Sequence, residues 1–325
     1  MKAAFLVDQN NFKTYCESVP EGWEIQHFGN DRYDEEELIA SGAEAILCDP
    51  MIDVPADVIH AMPELKIIHS FGVGFNRIDL AAATEKGIYV CNNAGVNAGA
   101  VAEQTVLLML AALRKYHEGE WMTYAARQGE FKKRCFNRGL TELSECRVGL
   151  IGLGAIGTET AKRLKGFGCE VFYYKRHHPV KDEAELGVTY ADQDWILENC
   201  DIISLHVPVT EETKHLICDE TLKKMKPGAI LVNTSRGELV DQEAVVRSLK
   251  DGTLGYFAAD TLAPEPVQKD NPIICVPEEL RDRMALSPHI GGITSGTFKR
   301  SYKKAFTNIA LAVSGQRPGD IVNGL

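Results

Sequence analysis

Three side chains of the kinds that move protons and hold anions stand in short segments of the second half of the chain. Arg236 lies in Asn233-Thr-Ser-Arg-Gly-Glu-Leu-Val-Asp241, just beyond an apolar run. Glu265 lies between prolines in Asp260-Thr-Leu-Ala-Pro-Glu-Pro266, and His289 in Ser287-Pro-His-Ile-Gly-Gly292. An arginine presents a fixed fork of donors to a carboxylate or phosphate, and a histidine changes charge near neutral pH. Taken singly, each has an ordinary alternative: a solvated charge, a surface glutamate, a lone histidine. Together they gain meaning from a glycine-rich stretch upstream.

In Arg147-Val-Gly-Leu-Ile-Gly-Leu-Gly-Ala-Ile-Gly157, the residues Gly152, Gly154 and Gly157 form G-x-G-x-x-G. Val148, Leu150 and Ile151 before it suit a buried parallel strand. Ile156, Thr160, Leu164 and Phe167 after it recur at helical spacing along one face, and 170–175 reads as a second strand. In such a unit the first glycine lets the chain turn, the second lets backbone N–H groups approach a pyrophosphate, and the third lets helix and strand pack closely. The helix N-terminus, with Ala155 and Ile156 in its first turn, faces the phosphates with partial positive charge. The stretch is therefore expected to bind a dinucleotide.

The elements around it follow from pattern. Apolar runs at 3–7, 25–28, 45–48, 66–70 and 88–91 alternate with helical segments, which predicts a parallel sheet covered by helices on both faces. The loop Ser70-Phe-Gly-Val-Gly-Phe-Asn-Arg-Ile-Asp79 follows the fourth run, where N–H groups at Val73 and Gly74 are placed to hold a small anion. The segment 98–114 predicts a long helix, broken by Glu103 and Gln104 but apolar nearly all round and so buried between layers or subunits; 118–147 reads as charged and irregular. Further strands are expected at 188–190, 202–207, 229–233, 256–259 and 285–287, with helices at about 193–199, 219–225 and 241–250. A final amphipathic helix is expected from Ser295 to Ser314, stopped by Gly315 and Pro318.

Composition limits the partners. A chain of 325 residues, 45% hydrophobic and 25% charged, is that of a soluble globular protein with room for two domains. A net charge of −11 argues against a nucleic-acid or anionic-membrane partner. The uninterrupted apolar stretch 106–113 is far short of the ~20 residues that span a bilayer. Nine cysteines without C-x-x-C or zinc-like spacing fit a reducing, cytoplasmic setting, and the scattered histidines give no support to a metal site.

With these motifs in place, the chain resembles the D-isomer-specific 2-hydroxyacid dehydrogenases, of the glyoxylate/hydroxypyruvate reductase kind. The resemblance rests on Gly-Val-Gly at 72–74, Ala-Val-Ala-Glu at 100–103, Gly-Leu-Gly-Ala-Ile-Gly at 152–157 and Leu-His-Val-Pro at 205–208. It continues through Asn-Thr-Ser-Arg-Gly at 233–237, Pro-Glu-Pro at 264–266 and Ser-Pro-His-Ile-Gly-Gly at 287–292, in order along nearly the whole chain. It implies an α/β architecture of two doubly wound domains. A flavodoxin-like substrate domain (1–97 and 293–325) would be interrupted by an inserted Rossmann dinucleotide-binding domain (98–292). By resemblance, His289 would be the acid/base, Glu265 its partner on the other imidazole nitrogen, and Arg236 the group that binds the substrate carboxylate. Val73 and Gly74 would hold the same carboxylate, and Met51 and Phe75 would line the pocket. His206, Val207, Pro208 and Thr234 would border the cofactor, and Asp260 would orient its carboxamide. The partner would be a small 2-keto or 2-hydroxy acid, and the assembly a homodimer.

The match departs from the NAD pattern at one place. About 20 residues past the motif, where an acid usually bonds the ribose of NAD, stands Lys175, followed by Arg176 and His177. Positive charge there favours the 2′-phosphate of NADP, so NADP is expected over NAD. Oxidation of D-3-phosphoglycerate, toward which Lys132, Lys133 and Arg134 point, remains an alternative, as does phosphite oxidation. An NAD(H)-sensing, corepressor-like binding protein is the alternative of another class.

Overall fold

Continuous apolar runs without alternation make strands buried on both faces, and that is how most of the strands here form. The computed structural model describes residues 1–176 and 183–325. It divides into one unit of Met1–Asn97 with Ile293–Leu325 and another of Ala98–Gly292.

In the first unit the strands are β1 (Lys2–Leu6), β2 (Glu24–His27), β3 (Ala45–Cys48), β4 (Ile67–Ser70) and β5 (Tyr89–Cys91). They pair in parallel in the order β2-β1-β3-β4-β5, the flavodoxin-like order. One apolar layer joins the sheet to helices Glu35–Ala40, Ala56–Ala61 and Leu80–Glu85; the other joins it to helix Ser295–Val313. Local chemistry sets several helix starts: the carboxylates of Asp8, Asp34 and Asp79 accept from the N–H three residues on. Such caps contribute about 1 kcal/mol each.

The second unit holds β6 (Arg147–Ile151), β7 (Glu170–Tyr174), β8 (Val188–Tyr190), β9 (Ile202–Leu205), β10 (Ala229–Asn233), β11 (Leu254–Ala259) and β12 (Met284–Leu286). All pairs are parallel, in the order β12-β11-β10-β9-β6-β7-β8. This is the Rossmann order extended by a seventh strand. Helices Ala98–Arg114 and Ala155–Phe167 cover one face, and Gln193–Asn199, Asp219–Lys224 and Gln242–Asp251 the other.

Two expectations need correction. The segment 118–147 is not irregular: it contains helices Tyr116–Tyr124 and Gln128–Arg138 and a 3-10 turn at Leu143–Glu145. These helices are held by the buried Glu118, which pairs with Arg134, and by Phe131 lying against Gly119, so their apolar periodicity is weak. Helix Ala98–Arg114 has its polar break at Glu103, which pairs with Arg163, and in the single chain Leu107 is exposed. On helix Ala155–Phe167 the buried face is Gly157, Thr160, Ala161 and Leu164, while Phe167, at the last turn, is exposed.

One long-range polar contact ties the returning helix to the first sheet. The fully buried His69 ring on β4 has Nδ1 2.9 Å from the Ser70 carbonyl and Nε2 3.2 Å from the Asn308 amide nitrogen. The amide donates to Nε2, so the proton sits on Nδ1 and the ring is neutral. Burial pushes this imidazole down to about 4 from an ordinary 6.5. Between those values the unfolded chain takes up a proton that the folded one refuses. The stability involved, on the order of 3 kcal/mol, is complete above pH 6.5 and is lost as pH falls toward 4. Thermal unfolding should therefore show Tm declining over that range, with a shallower decline in His69→Gln. Identical slopes in both proteins would contradict the assignment.

Candidate active site

The reactive segments all leave the carboxyl edge of the second sheet. Gly152 follows β6 with φ of 105°, and a Cβ there would lie 2.4 Å from the His206 carbonyl oxygen at the end of β9. Only glycine lets the two strand exits pass so closely. At Gly157 a Cβ would lie 2.5 Å from the Gly152 carbonyl, so the helix starts directly against the strand exit. Gly154 differs: it is the helix N-cap, makes no side-chain cap, and a Cβ there would meet nothing within 4 Å. Among the described residues, no acceptor takes the N–H groups of Ala155, Ile156 or Gly157, and the first helical bond runs from Thr158 to the Gly154 carbonyl. Unsatisfied N–H groups at an exposed helix N-terminus, beside a glycine without steric cover, fit a pyrophosphate.

The flanking residues lie along the same edge. Lys175 directly follows β7, and its Nζ donates to the Leu153 carbonyl of the glycine turn at 3.3 Å. Arg176 is exposed, and His177 lies outside the described residues. His206 follows β9; its Nε2 is 2.9 Å from Ser204 Oγ, its Nδ1 is buried without a partner among the described residues, and burial pushes the imidazole down to about 4. Val207 is half-buried and Pro208 exposed.

Three adjacent strands present the reactive side chains. Beyond β10, the Asn233 amide donates to the Arg236 carbonyl at 2.8 Å while its oxygen accepts from the Ser235 N–H at 3.0 Å. That closed turn presents Arg236, which is exposed and whose Nη1 bonds the Ser235 carbonyl at 2.8 Å. The Thr234 hydroxyl turns inward: Thr105 donates to the Val101 carbonyl, so Thr234 is the donor in their 2.8 Å contact. Beyond β11 stands Asp260, only 3% exposed. Its carboxylate accepts from Ser287 Oγ at 2.5 Å, Ile290 N–H at 3.0 Å and Gly291 N–H at 2.8 Å, while its own carbonyl accepts the His289 N–H at 2.8 Å. Gln104 in turn donates to Ser287 Oγ at 2.9 Å.

These bonds hold His289 in the left-handed region, at φ of 55°, which a side-chain-bearing residue adopts only when its surroundings enforce it. The His289 Nδ1 lies 2.7 Å from Glu265 Oε1, so the pair named from sequence is brought into direct contact. With Nδ1–H donating to the carboxylate, Nε2 is the nitrogen left to exchange a proton.

The remaining candidates belong to the first unit. The N–H groups of Val73 and Gly74 have no acceptor among the described residues, as an anion site needs. Met51 is 66% exposed, whereas Phe75 is half-buried against the apolar cluster that includes Ile52 and Ile78. The supporting roles of Asn233, Ser287 and Gln104 were not anticipated. An asparagine closing a strand exit is a recognisable turn signal, but contacts spanning 183 residues, as between Gln104 and Ser287, leave no local trace.

Residues 106–291 match the family model described as D-isomer specific 2-hydroxyacid dehydrogenase, NAD binding domain. The chain is 39% identical over 283 residues to a glyoxylate reductase of Thermofilum pendens, covering 86% of this chain and 81% of that protein. It is 38% identical over 253 residues to a hydroxypyruvate reductase of Thermotoga maritima, covering 76% and 77%. Among solved structures, it resembles a D-lactate dehydrogenase from Aquifex aeolicus complexed with NAD and lactic acid. That match has a TM-score of 0.80 and 28% identity, and covers 100% of both chains. The chain belongs to the D-isomer-specific 2-hydroxyacid dehydrogenase family, a family of oxidoreductases with a nicotinamide cofactor. Among the described residues, no helix is long and apolar enough to cross a membrane.

The glycines can be told apart experimentally. Gly152→Ala forces a Cβ against backbone at a positive φ and should cost about 3 kcal/mol or more, seen as a lower Tm. Gly154→Ala should leave Tm nearly unchanged yet weaken dinucleotide binding about tenfold or more in a titration, because its methyl would cover the helix N-terminus. Equal effects of the two substitutions on Tm would contradict this division.

Proposed function

We propose that the chain reduces a small 2-keto acid, of the size of glyoxylate or hydroxypyruvate, to the D-2-hydroxy acid. The observation that carries this reading is the 2.7 Å contact of His289 with Glu265, at the edge of the sheet from which Arg236 also projects. The bound nicotinamide cofactor supplies hydride to the keto carbon. His289 delivers the proton from Nε2 to the carbonyl oxygen, and in the reverse direction removes it. Glu265 accepts the Nδ1–H bond, fixes the tautomer and stabilises the imidazolium. Arg236 takes the substrate carboxylate in its fork, with the N–H groups of Val73 and Gly74 as further donors. Met51 and Phe75 contact the rest of the substrate.

On the cofactor side, the N–H groups of the turn at Gly154, Ala155 and Ile156 receive the pyrophosphate, and His206, Val207 and Pro208 border the dinucleotide. Thr234 takes part through its main chain, since its hydroxyl is committed to Thr105. Asp260 has three donors on a carboxylate with about four lone-pair sites, and offers the remainder to the carboxamide. Lys175 and Arg176 give the site a preference for NADP over NAD. The assembly is a homodimer in a cytoplasmic setting; exposed Trp121, Tyr124 and Phe136, on the two helices after Arg114, support a second copy as the partner.

Steady-state kinetics over a set of 2-keto acids with both reduced cofactors test the reading. We expect turnover with kcat/KM about tenfold or more in favour of NADPH, an advantage removed by Lys175→Ala. His289→Gln should lower kcat about 100-fold or more, and Arg236→Ala should raise the keto-acid KM about tenfold to 100-fold. Dinucleotide binding without turnover on any keto acid would overturn the proposal in favour of a sensor-like binding protein. A clear preference for NADH would overturn the cofactor assignment alone.

A further inference from the structure

The loop after β4 has every carbonyl from Phe71 to Gly74 tied to a donor. The Asn93 amide donates to the Phe71 carbonyl at 2.7 Å, and the Asn93 backbone N–H to that of Gly72 at 2.9 Å. The Asn92 amide donates to the Val73 carbonyl at 2.7 Å, and the Ser70 hydroxyl to that of Gly74 at 2.5 Å. Asn92, Asn93 and Ser70 are buried, at 5%, 0% and 0% exposure, whereas Val73 is 37% exposed.

A trans peptide is planar, with C=O and N–H pointing in opposite directions. Holding the Gly72 carbonyl inward therefore turns the Val73 N–H outward, and holding the Val73 carbonyl inward does the same for Gly74. These N–H groups have no acceptor among the described residues. Without the inward bonds, each peptide is free to rotate and present its carbonyl, which repels an anion.

We propose that Asn92, through its amide, and Asn93, through its main-chain N–H, are positioning residues for the substrate carboxylate. They touch no substrate; they set which end of each loop peptide faces it, and so govern keto-acid affinity. The inference rests on the proposed function, in which Val73 and Gly74 bind that carboxylate. It separates from a merely structural role because it acts on one ligand: the dinucleotide elements lie in the other unit and are untouched.

The test compares Asn92→Ala and Asn92→Asp with the unaltered enzyme, using glyoxylate as substrate and oxamate, a non-reducible keto-acid analogue, as inhibitor. We expect Asn92→Ala to raise the glyoxylate KM and the oxamate Ki together by about tenfold, the loss of one oriented donor. The cofactor KM should stay within about twofold and kcat within about threefold, as the reacting groups are unaltered. Asn92→Asp, of equal size but without the donor, should be at least as impaired. An unchanged glyoxylate KM and oxamate Ki in folded Asn92→Ala, while Arg236→Ala raises both, would overturn the inference and leave the proposed function standing. If Arg236→Ala raises neither, the site reading itself fails and the inference falls with it. Should Asn92→Ala not fold, Asn92→Asp decides by the same two constants.

Discussion

A buried carboxylate organises the chemistry of the second unit. Asp260 stands one residue past β11 and gathers the Ser287 hydroxyl, two backbone N–H groups and, through its own carbonyl, a third. Removing the carboxylate would leave the hydroxyl and the N–H groups of Ile290 and Gly291 unpaired in a poorly hydrated place, at about 1–3 kcal/mol apiece. The bonds close the exit of β12 into the left-handed turn at His289, and that turn brings the imidazole to Glu265. A histidine on a free loop would sample many orientations; here the His289 backbone is fixed from beneath.

Both units use the same device, in which short parallel strands are built from apolar residues and the polar work is done at their carboxyl ends. In the first unit, buried amides and a hydroxyl hold carbonyls so that N–H groups face outward. In the second, Asn233 closes the turn that bears Arg236, and the glycine turn leaves a helix N-terminus uncapped. In each case a buried polar side chain, or the absence of one, decides which backbone or side-chain group is available to an anion. Negative charge on the molecule as a whole, at −11, makes such local placement of donors more necessary for binding an acid.

Much of the fold was legible in the sequence because buried parallel strands are continuous apolar runs: the strands at Ala45–Cys48, Val188–Tyr190 and Ala229–Asn233 have the expected ends. Both doubly wound sheets were expected, and both are present. Helices Tyr116–Tyr124 and Gln128–Arg138 were not legible, because they are held by the pairing of Glu118 with Arg134 and by one aromatic contact at Gly119 rather than by an apolar stripe. Residue types marked Arg236, Glu265 and His289, but not the scaffold beneath them. The Asp260 contacts reach 27 to 31 residues along the chain, and His69 reaches Asn308 across 239; both depend on which strands and helices become neighbours. The same limit applies to Thr234, whose hydroxyl reads as available in the sequence and is spent on Thr105.

In the proposed reaction hydride reaches the carbon and a proton the oxygen of one keto group, held by its carboxylate in a single orientation. The stereochemistry of the product reports that orientation directly. Hydroxypyruvate should be reduced with NADPH and the glycerate resolved by chiral chromatography. A single enantiomer, D-glycerate, is the predicted result; L-glycerate or a racemic mixture would contradict the account.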